Sequence, residues 1–384
     1  MLTSLLHSQA KKVYWLNIVT SSSNTSSLSA SARFNRLTMI LAASFSFGVS
    51  SCRLTPTPSS PSETPIAPQE LQVVTTFLPI TQFTRAVAGD RAEVVQLLPP
   101  NTSPHDYQAK PIEAQAIATA DVLVKNGLGM EVFLEDLVAN AGNADLVVID
   151  SSDGIATLSS EEVEGQNHEH DHAHDHDHET KAESHHHGEH NPHIWLDPKR
   201  AIQQVENIRD GLIEADSAGE SEYTANAAAY IAQLQALDAE IAARLAPYAG
   251  KTFVAFHDFA PYFADSYGLE AEFLVDVPEE NASPEDVRRV IETVQASNLK
   301  TLLTEPQVGE ATFAALAADL NVQVSVFDPL ETGDAAATNP QYYLTTMRLN
   351  LDSLEAAFQG STQSWLFPWW SPDRATWSLL GKLG

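Results

Sequence analysis

Residues Glu220 to Leu245 read ESEYTANAAAYIAQLQALDAEIAARL, and the organisation of the chain follows from how this stretch is read. Its apolar residues Tyr230, Ile231, Leu234, Leu237, Ile241 and Leu245 recur at spacings of three and four, which puts them on one face of an α-helix. Alanine fills much of the remainder, so helix propensity is high. Two shorter helices broken near Ala239 are the alternative, but the stretch holds neither Gly nor Pro to break it. One continuous helix of about 39 Å is expected, about the diameter of a domain. A helix of that length is a stiff strut that limits hinge motion between whatever it joins.

On both sides of the strut, short β-branched runs alternate with helical patterns. Before it the strand candidates are Val73–Phe77, Glu93–Leu98, Val122–Lys125 and Leu146–Asp150. After it they are Thr252–Phe256, Glu270–Leu274, Thr301–Thr304 and Val322–Phe327. This alternation predicts an α/β protein with parallel sheets and crossover helices: two similar lobes, each a four-stranded parallel sheet, joined by one long rigid helix. A helix over Pro198–Ile213 precedes the strut, and the last helix covers Tyr343–Phe358. Ser283-Pro284-Glu285-Asp286 supplies another helix with an N-cap, a Pro at N1 and early acidic charge. The expected boundaries are an N-terminal lobe over 71–218, the connecting helix over 219–248 and a C-terminal lobe over 249–360. A tail over 361–384 holds Trp365, Trp369, Trp370 and Trp377, an aromatic density suited to docking on the body or on a membrane interface.

The 384 residues include 21 basic and 51 acidic side chains, a formal net charge of −30. Nucleic-acid binding rests on cation-rich surfaces, so that class is set aside. With 43% hydrophobic residues the chain can build packed cores. The lone cysteine, Cys52, excludes an internal disulfide framework and a four-thiolate zinc site.

That cysteine stands in an informative place. Leu37 to Val49 (LTMILAASFSFGV) is an apolar run preceded by Arg33 and Arg36, which reads as the core of a signal peptide and is too short to span a bilayer comfortably. Val49-Ser50-Ser51-Cys52 resembles a bacterial lipobox, in which the cysteine is diacylated; the alternative is an incidental Cys. Residues 1–52 are thus a leader, its first thirty-odd residues Ser-rich and suggestive of a start codon assigned upstream. Residues 53–70, rich in Pro, Ser and Thr, read as an extended tether. Anchor, tether and folded body fit an exported lipoprotein.

Ten of the fourteen histidines fall between His168 and His190, and His7 lies in the leader. The other three are far apart in sequence. His105 follows the second strand in LLPPNTSPHDYQ, and His257 ends the first strand after the strut in TFVAFHDFAPYF. Asp328 follows the last strand in VQVSVFDPL. Ligands of open parallel sheets bind outside the carboxyl ends of the strands, so these three point to a common edge. His193, in NPHIWLDP, opens the helices between the lobes and can reach the same cleft. Three imidazoles and one carboxylate make a nitrogen-rich shell suited to four-coordinate Zn²⁺. A count of four leaves no evident water position, which favours holding a metal over using it. Asp328 has a second reading, as a helix-capping residue before Pro329.

The order PHDY, a His-rich insertion, NPHIWLDP, FHDFAPYFADSYGL and FDPL resembles the cluster A-I metal-binding proteins of ABC importers, and among them the zinc-binding ZnuA-type lipoproteins. The resemblance covers Leu71 to Phe358, with NPHIWLDP its most specific piece. It implies two α/β lobes bridged by one long helix, with the metal in the cleft. Matched residue by residue, it implies His105, His193, His257 and Asp328 as the ligands. Manganese-binding relatives carry Glu at the third position, so His257 implies zinc. The resemblance also implies an ABC permease and its cytoplasmic ATPase as partners, and a monomer lipid-anchored in the periplasm or on the outer face of the cell membrane. Asn101 departs from the pattern, standing where Gly is common; Asn also tolerates positive φ.

The insertion carries His168, His170, His172, His174, His176, His178, His185, His186, His187 and His190. From Glu161 to His190 there are ten acidic residues against Lys181 alone, with no apolar periodicity, so a disordered loop is expected over 160–190. Alternating His and Asp chelate transition metals weakly, and that binding is lost as His protonates. A low-affinity zinc scavenger or sensor is one reading, and a solvated spacer is the other.

An enzyme has little support. GxSxG and Walker motifs are absent. HExxH is spelled once, by His168 to His172 (HEHDH), but inside the His-rich run without the helical periodicity that motif needs. The nearest approach to HxHxDH is HHHGEH from His185, with Glu in place of Asp. A metallohydrolase would need an open coordination position and a general base near His257, where Asp258 is the one adjacent candidate and has a second reading as a helix cap. A manganese-binding homologue and a metal-stabilised surface adhesin are the remaining rivals, since a fold does not fix a function.

Overall fold

The computed structural model describes residues 70–105, 107–158, 190–275, 282–307 and 310–360. The leader, Cys52, the tether up to residue 69, His168 to His187 of the insertion and the Trp-rich tail lie outside the described residues.

The first half runs β1 (Leu71–Thr75), α1 (Leu78–Ala88), β2 (Ala92–Gln96), α2 (Pro111–Ala118), β3 (Val122–Lys125), α3 (Leu134–Ala141) and β4 (Val147–Asp150). Its strands form one parallel sheet in the order β2-β1-β3-β4. Val122, Leu123 and Val124 of β3 are all buried, as a strand covered on both faces requires. β1 stops at Thr75, two residues before the expected end. Phe77 is already the N-cap of α1, and Pro79 sits in that helix's first turn, where its fixed φ suits a helix start.

The second half follows α4 (Pro198–Ala215) and α5 (Glu220–Leu245). It comprises β5 (Thr252–His257), α6 (Pro261–Tyr267), β6 (Glu270–Val275), α7 (Pro284–Ala296), β7 (Thr301–Thr304), α8 (Glu310–Leu320), β8 (Gln323–Val326) and α9 (Pro340–Gln359). All four expected strands are present, paired in parallel as β5-β6 and β7-β8. β5 and β7 run side by side, but the two pairs do not close into one four-stranded ladder. At the carboxyl end of β5, His257 is in register with Val275 of β6, and its amide donates to Glu305 Oε1 at 3.0 Å.

The strut is one unbroken helix of 26 residues. Its buried face is Tyr223, Ala227, Tyr230, Leu234, Leu237, Ile241 and Leu245, while Ile231 is only partly buried. It packs on α4 and α1 of one half and on α9 of the other, and its face joins a core that runs from Val122 and Phe83 to Phe253 and Phe327. A smaller core of Val254, Leu274, Leu302 and Phe313 lies on the other face of the second half. α9 begins three residues before the expected start, because Asn339 caps it by accepting the Gln341 amide at 2.9 Å and Pro340 takes N1. Among the described residues no helix is long and apolar enough to cross a membrane.

Candidate metal centre

Four segments converge where the two halves meet. The loop after β2 carries His105, the segment leading into α4 carries His193, β5 ends on His257, and the loop after β8 carries Glu331. Nε2 of His105 lies 3.0 Å from Glu331 Oε1, Nε2 of His193 lies 3.2 Å from it, and Nε2 of His257 lies 3.3 Å from it. The Nε2 atoms of His105 and His193 are 3.4 Å apart, and those of His193 and His257 are 3.3 Å apart. All four side chains are at most 4% exposed. Donors about 2.0–2.1 Å from a tetrahedral zinc stand about 3.3–3.4 Å from one another. The five separations therefore match the edges of such a shell.

The three predicted histidines are brought together; Asp328 is not in the group, and Glu331 takes the fourth place. The reason lies in the turn after β8. Asp328 is buried, and its Oδ1 accepts the Leu330 amide at 2.8 Å, so the carboxylate is engaged by its own backbone. The alternative reading of Asp328 as the cap of a helix also fails, because no helix begins there. His190, the one residue of the insertion within the described residues, is partly exposed and outside the group.

Two of the three imidazoles, those of His193 and His257, are oriented from behind. The amide and Nδ1 of His193 both donate to Asn191 Oδ1, at 3.0 and 2.9 Å. Asn191 Nδ2 in turn donates to the backbone and carboxylate oxygens of Asp258, which fixes the amide's orientation and with it the histidine tautomer. His257 Nδ1 lies 2.6 Å from Glu305 Oε1, whose other oxygen accepts from Gln307 Nε2 at 2.6 Å. Both arrangements turn an Nε2 lone pair toward the centre. Tyr107 Oη donates to Glu113 at 2.6 Å, tying the chain just past His105 to α2.

The electrostatics divide the histidines. Burial drives His193 well below its ordinary pKa, outweighing its bond to Glu331, so its neutral form is favoured. Burial also opposes charge on His257, but the carboxylates of Glu305 and Glu331 overcome it and raise that histidine well above its ordinary value. For Glu331, burial is outweighed by His105 and His257, which hold its carboxyl well below the usual range. Asp328 is pushed up to about 7, first by burial and then by Glu305 and Glu331. The centre thus keeps one carboxylate ionised among imidazoles, the form a divalent cation needs.

Sequence reading missed Glu331, Glu305 and Asn191 as parts of the centre. Each had a signal: Glu305 directly follows β7, Glu331 stands three residues beyond Asp328, and Asn191 opens NPHIWLDP.

Comparison with known proteins gives the family of the chain. The zinc-binding lipoprotein AdcA of Streptococcus pneumoniae serotype 4 is 33% identical over 289 residues, covering 74% of this chain and 55% of AdcA. The chain thus spans about half the length of that curated relative. The manganese-binding lipoprotein MntA of Halalkalibacterium halodurans is 28% identical, over 74% of this chain and 87% of MntA. The Zn(II)-bound ZnuA-like domain of Streptococcus pneumoniae AdcA superposes with a TM-score of 0.61 at 28% identity, covering 75% of this chain and 99% of that domain. The profile of the ZnuA family, described as zinc-uptake complex component A, periplasmic, matches residues 73–357, and the chain belongs to that family.

Proposed function

We propose that the chain captures Zn²⁺ outside the cytoplasm, between its two halves, and delivers it to an ABC-type importer. The observation that carries this reading is the convergence of three Nε2 atoms on Glu331 Oε1 at 3.0–3.3 Å. His105, His193, His257 and Glu331 are the ligands. Neutral imidazoles and one carboxylate suit zinc by donor type and count, whereas Mn²⁺ favours more oxygen ligands. A closed set of four leaves no position for an activated water, which supports a carrier over a hydrolase. Binding is pre-organised by Asn191 and Glu305, and burial excludes water that would compete for the ion. Release requires the ligand segments to separate, and docking on the permease is the natural trigger. Cys52 anchors the chain by lipid on the extracytoplasmic side, and the His-rich insertion collects zinc at low affinity. The similarity to AdcA, a zinc-binding lipoprotein, supports both cargo and anchor.

The test is zinc stoichiometry and manganese competition on the mature chain, beside the His257→Ala and Glu331→Ala variants. One tight zinc that survives excess manganese in the wild type, and that both variants lose or weaken strongly, is expected. Unchanged tight binding in both variants would move the primary site into the His-rich segment.

A further inference from the structure

The loop between β8 and α9 holds an uncommon backbone. Leu330, fully buried, has φ +66°, a left-handed conformation unfavourable for a bulky side chain. It immediately precedes Glu331, so the sign of its φ decides where the Glu331 carboxylate points. Something must hold it there.

We propose that Asp328 is a positioning residue: its hydrogen bond to the Leu330 amide maintains the left-handed turn that delivers Glu331 to the metal, so Asp328 sets the coordination number of the centre without touching the ion. The inference rests on the zinc reading above. An aspartate accepting the amide two residues on is an Asx turn, a side chain standing in for a backbone turn. Here Oδ1 does so at 2.8 Å. The backbone of Asp328 is itself clamped, since its amide donates to Asn350 Oδ1 at 2.8 Å and its carbonyl accepts from Asn350 Nδ2 at 2.7 Å. The next carbonyl, Pro329 O, accepts from Trp195 Nε1 at 2.9 Å, and Trp195 packs against the ring of His193. Beyond Glu331, the Gly333 amide donates to Pro100 O at 2.7 Å, in the loop that carries His105. The turn is therefore fixed at both ends to the segments bearing two other ligands. Between those fixed points the Leu330 amide has, among the described residues, the one acceptor Asp328.

Asp328 Oδ2 has no hydrogen-bond partner among the described residues, so direct ligation by Asp328 is the rival to exclude. Cobalt(II) separates the two, because its visible absorption is far stronger in a four-coordinate tetrahedral site than in sites of higher coordination. Asp328→Asn keeps the acceptor, Asp328→Ala removes it, and Leu330→Gly permits positive φ without it. The expected result is a tetrahedral cobalt spectrum in wild type and in Asp328→Asn. Asp328→Ala loses that spectrum, with zinc affinity falling about ten-fold or more, as in Glu331→Ala. Adding Leu330→Gly to Asp328→Ala brings the spectrum back despite the lost packing. An unchanged spectrum in Asp328→Ala overturns the proposal, as does loss of the site in Asp328→Asn with retention in Glu331→Ala. Amide exchange of segment 328–333 in the metal-free protein gives an independent reading. Faster exchange in Asp328→Ala is expected, and equal exchange overturns the turn. If wild type itself takes up neither cobalt nor zinc tightly, the zinc reading fails while exchange still judges the turn.

Discussion

Glu305 Oε1 lies 2.6 Å from Nδ1 of His257 and also accepts that residue's backbone amide at 3.0 Å. One carboxylate oxygen therefore fixes both the ring and the main chain of a candidate ligand, and its charge raises the histidine's pKa against burial.

From this follows a proton count. Zinc needs the neutral imidazole, so binding near pH 7 displaces a proton from His257 and affinity falls as the pH is lowered. Glu305→Gln removes a negative charge, lowers the His257 pKa and reduces the number of protons released. Calorimetry in buffers of different ionisation enthalpy measures that number. An equal release from wild type and variant would mean that Glu305 does not control this proton. Affinity itself should drop about 10- to 100-fold, the usual cost of losing such an outer partner.

Asp328 offers a second pH experiment, on the stability of the metal-free protein. Its folded pKa of about 7 lies above the ordinary 3.8, so the native state binds its proton more tightly than the unfolded chain. Native stability therefore declines as pH rises from about 4 towards 7, where the buried carboxylate must ionise. Asp328→Asn escapes this and should melt higher than wild type at pH 8, with no such gain at pH 4. At about 1.4 kcal/mol per pKa unit the ceiling is a few kcal/mol. Parallel melting curves of the two proteins at both pH values make the check. A gain at pH 4 equal to that at pH 8 would refute the assignment.

Packing of α4 on the first sheet depends on a missing side chain. A Cβ placed on Gly211 would meet Cδ1 and Cγ1 of Ile149 at 2.5 Å. Gly211→Ala should accordingly destabilise by about 1–3 kcal/mol, even though Ala is the better helix former. Truncating the obstacle with Ile149→Ala should make the double mutant more stable than the summed single effects imply. Denaturant midpoints around this cycle provide the measurement, and strict additivity would count against the contact.

On α5, apolar packing and ion pairing are separable. Arg244 bonds Asp352 at 2.5 Å and also pairs with Glu355 of α9, but these groups are 22–31% exposed. Partly solvated pairs contribute about 0–1 kcal/mol and are screened by salt. Leu237, fully buried on the same helix, should cost about 2–5 kcal/mol as Leu237→Ala. Arg244→Gln should be the milder change and shrink further in molar salt, as urea unfolding at two ionic strengths will show. A larger loss from Arg244→Gln than from Leu237→Ala would reverse this ranking.

Much of the architecture was legible in the chain because periodicity is a local property. The three-and-four spacing from Tyr230 to Leu245 marks a helix whatever surrounds it, and the β-branched runs mark strands to within two or three residues. Errors fell where a neighbour intrudes, as at β1, cut short by the start of α1. The candidate site divides in the same way. His105, His193 and His257 could be grouped because each sits beside the carboxyl end of a strand or the opening of a helix, and outside the His-rich insertion the only other histidine is His7. The acid could not be chosen by that rule, since Asp328 and Glu331 are three residues apart on the same loop.

The residue order alone thus determined an α/β chain with a long internal helix and three imidazoles aimed at one sheet edge, because short-range spacing carries that information. Only the tertiary structure decided which carboxylate joins them. That choice depends on a left-handed Leu330 between Trp195, Asn350 and Pro100, contacts that exist only once both halves are folded together.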